Sequence, residues 1–313
     1  MTAATQFQKS AEATGDWTVT PLSAALGAVI TGVDLSTVDG DQITEIRKLL
    51  HQYLVIFFPQ QHLSAEAHIA FGRHFGHLEG HPNLKHRTPD DHPELFRLAA
   101  SEGGIADEWH TDLTFLEQPS LMSILNMKVC PEIGGDTMWA NLFAAYEGLS
   151  APIQALCDGL SALHDAHPHG REDRTFIHPV VRIDPETGRK ALYVNEHFTR
   201  RIVELSEPES AHILSYLTRW VQQPKFTVRH RWSAGTIGMW DNRFSQHYVV
   251  NDFVGERVIE RVTVMGDQPN RPPATWQPFT EVAPRSAMSR HDRQLHRHLQ
   301  NANAPAATGD TAI

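Results

Sequence analysis

The sequence contains very little cysteine. Cys130 and Cys157 are the two cysteines among 313 residues, and they do not form a Cys-x-x-Cys pair. This count gives no support to a disulfide framework or a zinc ribbon, and it makes a reducing cytoplasm the expected compartment. No run of about 18 apolar residues occurs, so we expect no membrane span. Residues 1–16 lack the apolar core of a signal peptide, and we expect them to be disordered.

Positive charge is also scarce. The chain has 27 Lys and Arg against 37 Asp and Glu, which gives a formal net charge of −10. This balance argues against nucleic acid or an anionic membrane as the main partner. A small anionic substrate remains compatible, because one or two buried arginines can neutralise it locally. Histidine is abundant instead, with 20 residues, so short histidine motifs will also occur by chance.

Short apolar runs dominate the pattern and predict many strands. Helical periodicity is confined to 41–52, 64–75, two short segments within 141–160, and 208–222. Many strands with few helices between them indicate a mainly β fold, a β-sandwich or jelly roll with helical insertions. We expect one domain over 17–268. The tail at 269–313 is first rich in proline and then in histidine and arginine, with a helix predicted at 286–299.

The candidate metal site starts from the stretch WHTDLTF at 109–115. If this stretch is a strand, His110 and Asp112 point to the same face and can bind one metal ion. A distant second histidine would complete a two-histidine, one-carboxylate triad, which leaves open positions on iron. The same spacing occurs at 77–79 and 92–94. We interpret those two pairs as solvated side chains, because the first follows a predicted helix end and the second contains a proline in a polar loop.

A matching histidine lies near the far end of the domain. His247 closes the stretch WDNRFSQH at 240–247, which follows a predicted strand. Arg257 and Arg261 would share a face of the next strand with Ile259. Inward-facing arginines are costly unless each meets an anion, and arginine binds carboxylate or sulfonate groups in bidentate fashion. The alternative is a pair of solvated arginines on an edge strand. The polar loop at 79–107 is placed to form the rim of such a site.

Five stretches together resemble the Fe(II)- and 2-oxoglutarate-dependent dioxygenases of the taurine dioxygenase (TauD/TfdA) family. They are 26–35, WHTDLTF at 109–115, GGDTMWAN at 134–141, HPVVRIDPETGRKALYVNEHFTRRI at 178–202 and WDNRFSQH at 240–247. The resemblance implies a double-stranded β-helix, a jelly roll, with iron at one mouth. By position it implies these roles: iron ligands at His110, Asp112 and His247, 2-oxoglutarate contacts at Thr137 and Arg257, and a sulfonate or sulfate contact at Arg261.

The resemblance also implies an activity. Fe(2+), 2-oxoglutarate and O2 would hydroxylate a small sulfonate or alkyl sulfate at the carbon bearing the sulfur group. The product would release sulfite or sulfate and an aldehyde, with succinate and CO2 as coproducts. His81 and Phe198 match substrate contacts of taurine-type enzymes, whereas Leu84, Ala106 and Ala166 replace a tyrosine, an asparagine and a phenylalanine. These replacements indicate a substrate with a larger apolar body than taurine, although taurine remains possible.

Three matters stay open at this point. Relatives that cleave aryloxyalkanoates bind a carboxylate substrate, and this activity is the alternative. A more remote alternative is a zinc-binding jelly-roll hydrolase or a metal-binding protein that is not an enzyme, with ligands from His164, His167, His169 and His178. Relatives of the family commonly form dimers or tetramers, which implies the same for this chain by analogy only.

Overall fold

The computed structural model describes residues 17–84, 87–103, 105–280 and 288–302, and strands dominate it. The strands are β1 (Thr18–Pro21), β2 (Ala28–Thr31), β3 (Val55–Phe58), β4 (Leu78–Glu79), β5 (Leu95–Ala99), β6 (Ser120–Val129), β7 (Thr137–Asn141), β8 (Ser161–Ala166), β9 (Arg171–Pro179), β10 (Val181–Ile183), β11 (Lys190–Leu192), β12 (Thr199–Ile202), β13 (Thr227–His230), β14 (Ile237–Asp241), β15 (Ser245–Val249) and β16 (Val258–Met265). The helices are α1 (Gly40–Tyr53), α2 (Ala65–Arg73), α3 (Leu142–Glu147), α4 (Ala151–Asp158), α5 (Glu207–Val221) and α6 (Arg290–Ala302).

One large sheet forms the frame of the domain. Its order is β1-β2-β3-β14-β6-β16-β4, and β5 pairs with β16 outside this path. Strand β3 shows why its run of apolar residues is continuous. Phe57 points to one face and packs on Trp139 with ring centroids 5.2 Å apart, whereas Ile56 and Phe58 join the apolar cluster that covers α1 and α2. Both faces of the sheet are therefore buried at β3.

A second, smaller sheet covers one face of the large one. Its order is β13-β7-β15, and its Trp139 meets Trp240 of β14 with ring centroids 5.8 Å apart. A three-stranded sheet (β12-β8-β9) and the hairpin β10-β11 complete the β structure. This arrangement of sheets with few helices confirms the predicted mainly β class. Among the described residues, no helix is long and apolar enough to cross a membrane.

The helices lie close to their predicted positions, and their caps explain where they begin. Asp39 and Gln42 form a capping box at the start of α1, because each side chain binds the other's backbone N–H. Ser64 caps α2 through the backbone N–H of Ala67. Helix α6 begins at Arg290, four residues later than predicted. The predicted disordered segment at 1–16 lies outside the described residues.

The segment that carries the candidate metal site is not a strand, so this prediction was wrong. His110 makes an isolated bridge to His247, and the residues after it form a turn. Leu113 has a positive φ of 59°, and the N–H of Leu116 donates to its carbonyl over 3.0 Å. Beyond the bridge, the Thr111 hydroxyl donates to the Ser245 carbonyl at 3.0 Å. The turn still directs His110 and Asp112 to one place.

Candidate active site

Two distant histidines are brought together by a backbone bridge. The N–H of His110 donates to the His247 carbonyl over 3.0 Å, and the N–H of His247 donates back over 2.8 Å. Their rings lie 4.0 Å apart between centroids. Asp112 Oδ1 is 3.8 Å from His110 Nε2, and one ligand atom from each of the three residues lies within 4.8 Å of the others. Within the described ranges, this is the one cluster of its kind.

The imidazoles are held in the form that binds metals. His110 Nδ1 donates to the Glu108 carbonyl at 2.7 Å, which leaves the Nε2 lone pair facing Asp112. Burial lowers the pKa of His110 to about 4, and burial together with the neighbouring His110 lowers the pKa of His247 well below its usual value. Both rings are therefore neutral near pH 7, as metal coordination requires.

The carboxylate of Asp112 is ionised and fixed at both oxygens. Burial opposes its ionisation, but the pKa of Asp112 still lies below its usual value, with the attraction of Arg261 as the largest opposing cause and a further contribution from the Ser123 hydrogen bond. Arg261 Nη1 donates to Oδ1 at 2.7 Å, and the Ser123 hydroxyl donates to Oδ2 at 2.7 Å. Two neutral imidazoles and one carboxylate, buried and pre-oriented, fit a divalent iron ion with open positions.

A narrow cleft of about 30 Å³ beside this cluster is lined by a buried cation, Arg257. Arg257 is 5% exposed, and its Nε donates to the Gly135 carbonyl at 3.1 Å. Its Nη2 lies 3.4 Å from the Thr137 hydroxyl. Burial lowers the pKa of Arg257 to about 10, so the guanidinium is charged at neutral pH. Among the described residues no carboxylate forms an ion pair with it. Such a group suits the carboxylate of a bound ligand.

The two arginines share a face of β16 and its approach, as predicted. Arg257, Ile259 and Arg261 all line the narrow cleft, so the alternation of side chains along the strand has brought both guanidinium groups inward. Arg261 also lines a second, larger cavity of about 280 Å³, whose wall includes His110 and Asp112 of the candidate metal cluster. It is 7% exposed, which contradicts the alternative of a solvated arginine on an edge strand.

The larger cavity contains every predicted substrate contact. Its wall includes Arg261, His81, Phe198, Leu84 and Ala106 beside His110 and Asp112. His81 stacks on Phe96 with ring centroids 4.8 Å apart, and its Nδ1 accepts the backbone N–H of Leu84 at 3.1 Å. Burial, with Arg261 nearby, lowers the pKa of His81 to about 2. Ala166 does not line the cavity but packs behind it, against Leu113, Phe115 and Phe198.

Several residues of this cavity were missed from the sequence. They are Arg87, Phe96, Leu98, Ile105, Leu113, Pro168, His169 and His197. His197 is held by Glu108, whose Oε2 accepts from Nδ1 at 2.6 Å. Phe96 and Leu98 lie two residues apart on β5. The others come from irregular segments and turns, where spacing gives no regular signal.

The four histidines considered as zinc ligands do not converge. His164 and His178 lie in the core, with ring centroids 5.4 Å apart. His169 lines the larger cavity, and His167 is at the surface, where its Nδ1 lies 2.8 Å from Glu172. The described residues therefore contain no zinc site built from these four.

Known proteins resemble the chain over most of its length. The family model described as taurine catabolism dioxygenase TauD, TfdA family matches residues 18–263. A sulfate ester dioxygenase of Pseudomonas putida that depends on alpha-ketoglutarate (2-oxoglutarate) is 36% identical over 274 residues, which are 80% of this chain and 90% of the relative. An alkylsulfatase of Acinetobacter baylyi is 35% identical over 269 residues, 79% of this chain and 84% of the relative. A taurine dioxygenase crystal structure from Burkholderia xenovorans superposes with a TM-score of 0.76 at 38% identity and covers 87% of this chain and 98% of that one.

Proposed function

The chain belongs to the TauD, TfdA family of dioxygenases, which use Fe(II), 2-oxoglutarate and O2, and we propose that it hydroxylates an alkyl sulfate or sulfonate. The reaction would take place at the carbon that bears the sulfur group. The similar relatives named for sulfate esters and alkyl sulfates support this choice of substrate.

We assign the metal and cosubstrate roles to the residues that converge in the site. His110, Asp112 and His247 would hold the iron. Arg257 and Thr137 would hold the distal carboxylate of 2-oxoglutarate, since the guanidinium is buried with no ion-pair partner among the described residues and the hydroxyl lies beside it. When bound, iron and 2-oxoglutarate supply the chemistry that hydroxylates a C–H bond, and 2-oxoglutarate is converted to succinate and CO2.

One observation carries the choice of an anionic substrate. Arg261 donates one N–H to Asp112, while its Nε is buried without any hydrogen-bond partner among the described residues. The same side chain faces the larger cavity. A sulfate or sulfonate oxygen placed there would satisfy the free donor. Its position next to a metal-ligand carboxylate would fix the adjacent C–H bond near the iron, which is the positioning that such a reaction requires.

The aliphatic part of the cavity wall supports a substrate with an apolar body. Leu84, Leu98, Ile105, Ala106 and Leu113 contribute aliphatic surface, which excludes water from the reacting carbon. Hydroxylation of an alkyl sulfate gives a carbon bearing both a hydroxyl and a sulfate. Its C–O bond to sulfate then breaks, the electron pair leaves with sulfate, the hydroxyl proton is lost, and an aldehyde remains. A carboxylate substrate of the aryloxyalkanoate type would use Arg261 in the same way.

The test is substrate-dependent O2 uptake in the presence of Fe(II) and 2-oxoglutarate. The panel contains taurine, longer alkylsulfonates, alkyl sulfates and phenoxyalkanoates. We expect the highest kcat/KM with alkyl sulfates or alkylsulfonates longer than taurine. In Arg261→Met, kcat/KM for these substrates should fall at least about 30-fold, because truncating one partner of a buried charge pair costs about 2–5 kcal/mol.

Arg97→Met provides the matched control for that experiment. Arg97 lies on β5 between two residues of the cavity wall, but its own side chain is exposed. Its substitution should leave both kinetic constants unchanged. If the parent enzyme turned over phenoxyalkanoates in preference to the sulfur compounds, the aryloxyalkanoate activity would replace the proposed one. Unchanged turnover of every anionic substrate by Arg261→Met would contradict the role of Arg261.

The proposal extends to the boundaries, compartment and assembly of the protein. We assign catalysis to the domain at 17–268 and the working compartment to the cytoplasm, where the free thiols of Cys130 and Cys157 would remain reduced. We further propose a homodimer or homotetramer, by analogy with the family. Sedimentation of the purified protein would distinguish these states from a monomer.

A further inference from the structure

The larger cavity contains a second guanidinium group that the proposed reaction does not use. Arg87 lines this cavity together with Arg261. Its Nη2 donates to the backbone carbonyl of Glu102 at 3.0 Å, whereas its Nη1 is buried and has no hydrogen-bond partner in the part of the chain that the structure describes. Arg87 is thus held in place by a neutral acceptor and keeps one free donor at the cavity wall.

The charge of Arg87 has few acidic groups in the cavity wall to balance it. Of the described residues that line the cavity, Asp112 is the one acidic residue, and it is already paired with Arg261. Among the described residues no carboxylate forms an ion pair with Arg87. An arginine with a buried, unpaired N–H is unfavourable unless an anion completes it. Arg87 as a whole is half-buried, and an anionic ligand in the cavity would complete its buried N–H.

Arg87 and Arg261 are linked by a continuous wall rather than by direct contact. Arg261 lies over the Phe96 ring at 5.2 Å, and His81 stacks on the same ring. His81 Nδ1 accepts the N–H of Leu84, and the Leu84 carbonyl accepts the N–H of Arg87 at 3.0 Å. A substrate bound by Arg261 would therefore extend along His81 and Leu84 before it reached Arg87.

From this arrangement we propose that the preferred substrates are doubly anionic: an alkyl sulfate or sulfonate whose far end carries a carboxylate that Arg87 binds. The inference rests on the proposed function, because Arg261 must hold the sulfur group. The apolar side chains between the two arginines contact the hydrocarbon chain. Arg87 determines specificity at the far end and does not take part in bond breaking.

The test compares matched substrates that differ at one end. Alkyl sulfates of four to ten carbons are assayed beside the same sulfates with a terminal carboxylate, at a pH where the carboxylate is ionised. At the best chain length, we expect the carboxylated substrate to have the higher kcat/KM in the parent enzyme. In Arg87→Met the ratio of the two kcat/KM values should fall about tenfold to a hundredfold, as loss of a charged hydrogen bond predicts. Arg87→Lys should restore part of that ratio.

The ratio separates recognition from a purely structural role. If Arg87 only fixed its loop to Glu102, Arg87→Met would affect both substrates equally and the ratio would not change, which would overturn the inference. The exposed control Arg97→Met should leave the ratio at the parent value. A parent enzyme that turns over plain alkyl sulfates with no preference for the carboxylated series would also overturn the inference, while the proposed function would stand.

If no sulfate or sulfonate is turned over, the proposed function is contradicted. A binding measurement covers this case. Calorimetric titration of the parent and Arg87→Met with an alkylsulfonate and its carboxylated counterpart would still decide the role of Arg87. Tighter binding of the carboxylated probe by the parent alone would support it, and equal affinities in both proteins would overturn it.

Discussion

Arg201 and Arg257 are both buried guanidinium groups, but they differ in what neutralises them. Arg201 is 3% exposed and pairs with Asp292 at 2.7 Å. Arg257 is 5% exposed, and no carboxylate of the described residues pairs with it. Truncating Arg201 would leave a charged partner behind, whereas truncating Arg257 removes a charge that has none. The first change therefore tests stability, and the second tests ligand binding.

We predict that Arg257→Met raises the KM for 2-oxoglutarate at least about 30-fold, because the buried guanidinium loses its charge-assisted bonds to the distal carboxylate. The free energy of unfolding of the ligand-free protein should stay the same or rise, since an unpaired buried cation disappears. Steady-state kinetics with varied 2-oxoglutarate and urea unfolding measure the two quantities. Arg219→Met, on the exposed face of α5, is the control. An unchanged KM for 2-oxoglutarate would contradict the assignment of Arg257.

At the scale of elements, the sequence predicts best where one physical rule governs a whole segment. The unbroken apolar run of β3 reflects burial on both faces of the large sheet, and α1 follows from its periodic apolar face and its cap. Strand β9 was not predicted. Its first seven residues, Arg171–Ile177, are exposed or half-buried, so they show neither alternation nor a continuous apolar run.

The site shows the same limit. His110 and Asp112 were identified by a spacing argument that assumed a strand, but the structure places them on a bridge and a turn. Their convergence depends on the pairing of His110 with His247, which lies far away in the chain. Residues such as Arg87 and His169 reach the cavity from irregular segments. No local period marks such residues, because cavity walls need neither alternation nor uniform hydrophobicity.

We predict that Gly72→Ala destabilises the fold through the contact between α2 and β16. A Cβ at Gly72 would lie 2.8 Å from Val262 Cγ2 and 3.3 Å from Leu78 Cδ1. Overpacking of this kind costs about 1–3 kcal/mol, of which the better helix propensity of alanine returns up to about 1 kcal/mol. Gly40→Ala is the matched control, because its Cβ would meet nothing within 4 Å. The urea midpoint should fall for Gly72→Ala and stay equal or rise for Gly40→Ala. Equal midpoints for Gly72→Ala and the parent would show that β16 accommodates the added methyl group without loss of stability.

At the scale of the whole molecule, buried neutral histidines couple the stability of the fold to pH. Burial lowers the pKa of His68 and of His178 to about 4, in both cases as the largest cause. His68 Nε2 donates to the Ile124 carbonyl at 2.9 Å, and its buried Nδ1 has no hydrogen-bond partner within the described ranges. Protonation of Nδ1 would place an unpaired charge in the core. The unfolded chain, in contrast, binds that proton near the ordinary histidine pKa of about 6.5.

The sign of the resulting pH dependence follows from these pKa values. Because the unfolded state binds more protons between pH 6.5 and 4, the contribution of each such histidine is full above pH 6.5 and is lost as the pH falls toward 4. The loss amounts to roughly 3 kcal/mol per histidine.

We predict that His68→Gln, whose amide can still donate to Ile124, lowers the slope of unfolding free energy against pH by up to one proton, or about 1.4 kcal/mol per pH unit. Urea unfolding of the metal-free proteins at a series of pH values measures this slope. The comparison of variant with parent cancels the titration of His110 and His247, which both proteins share. His77→Gln, at an exposed position, should reproduce the parent slope, and a parent-like slope for His68→Gln would mean that the core admits the charged ring.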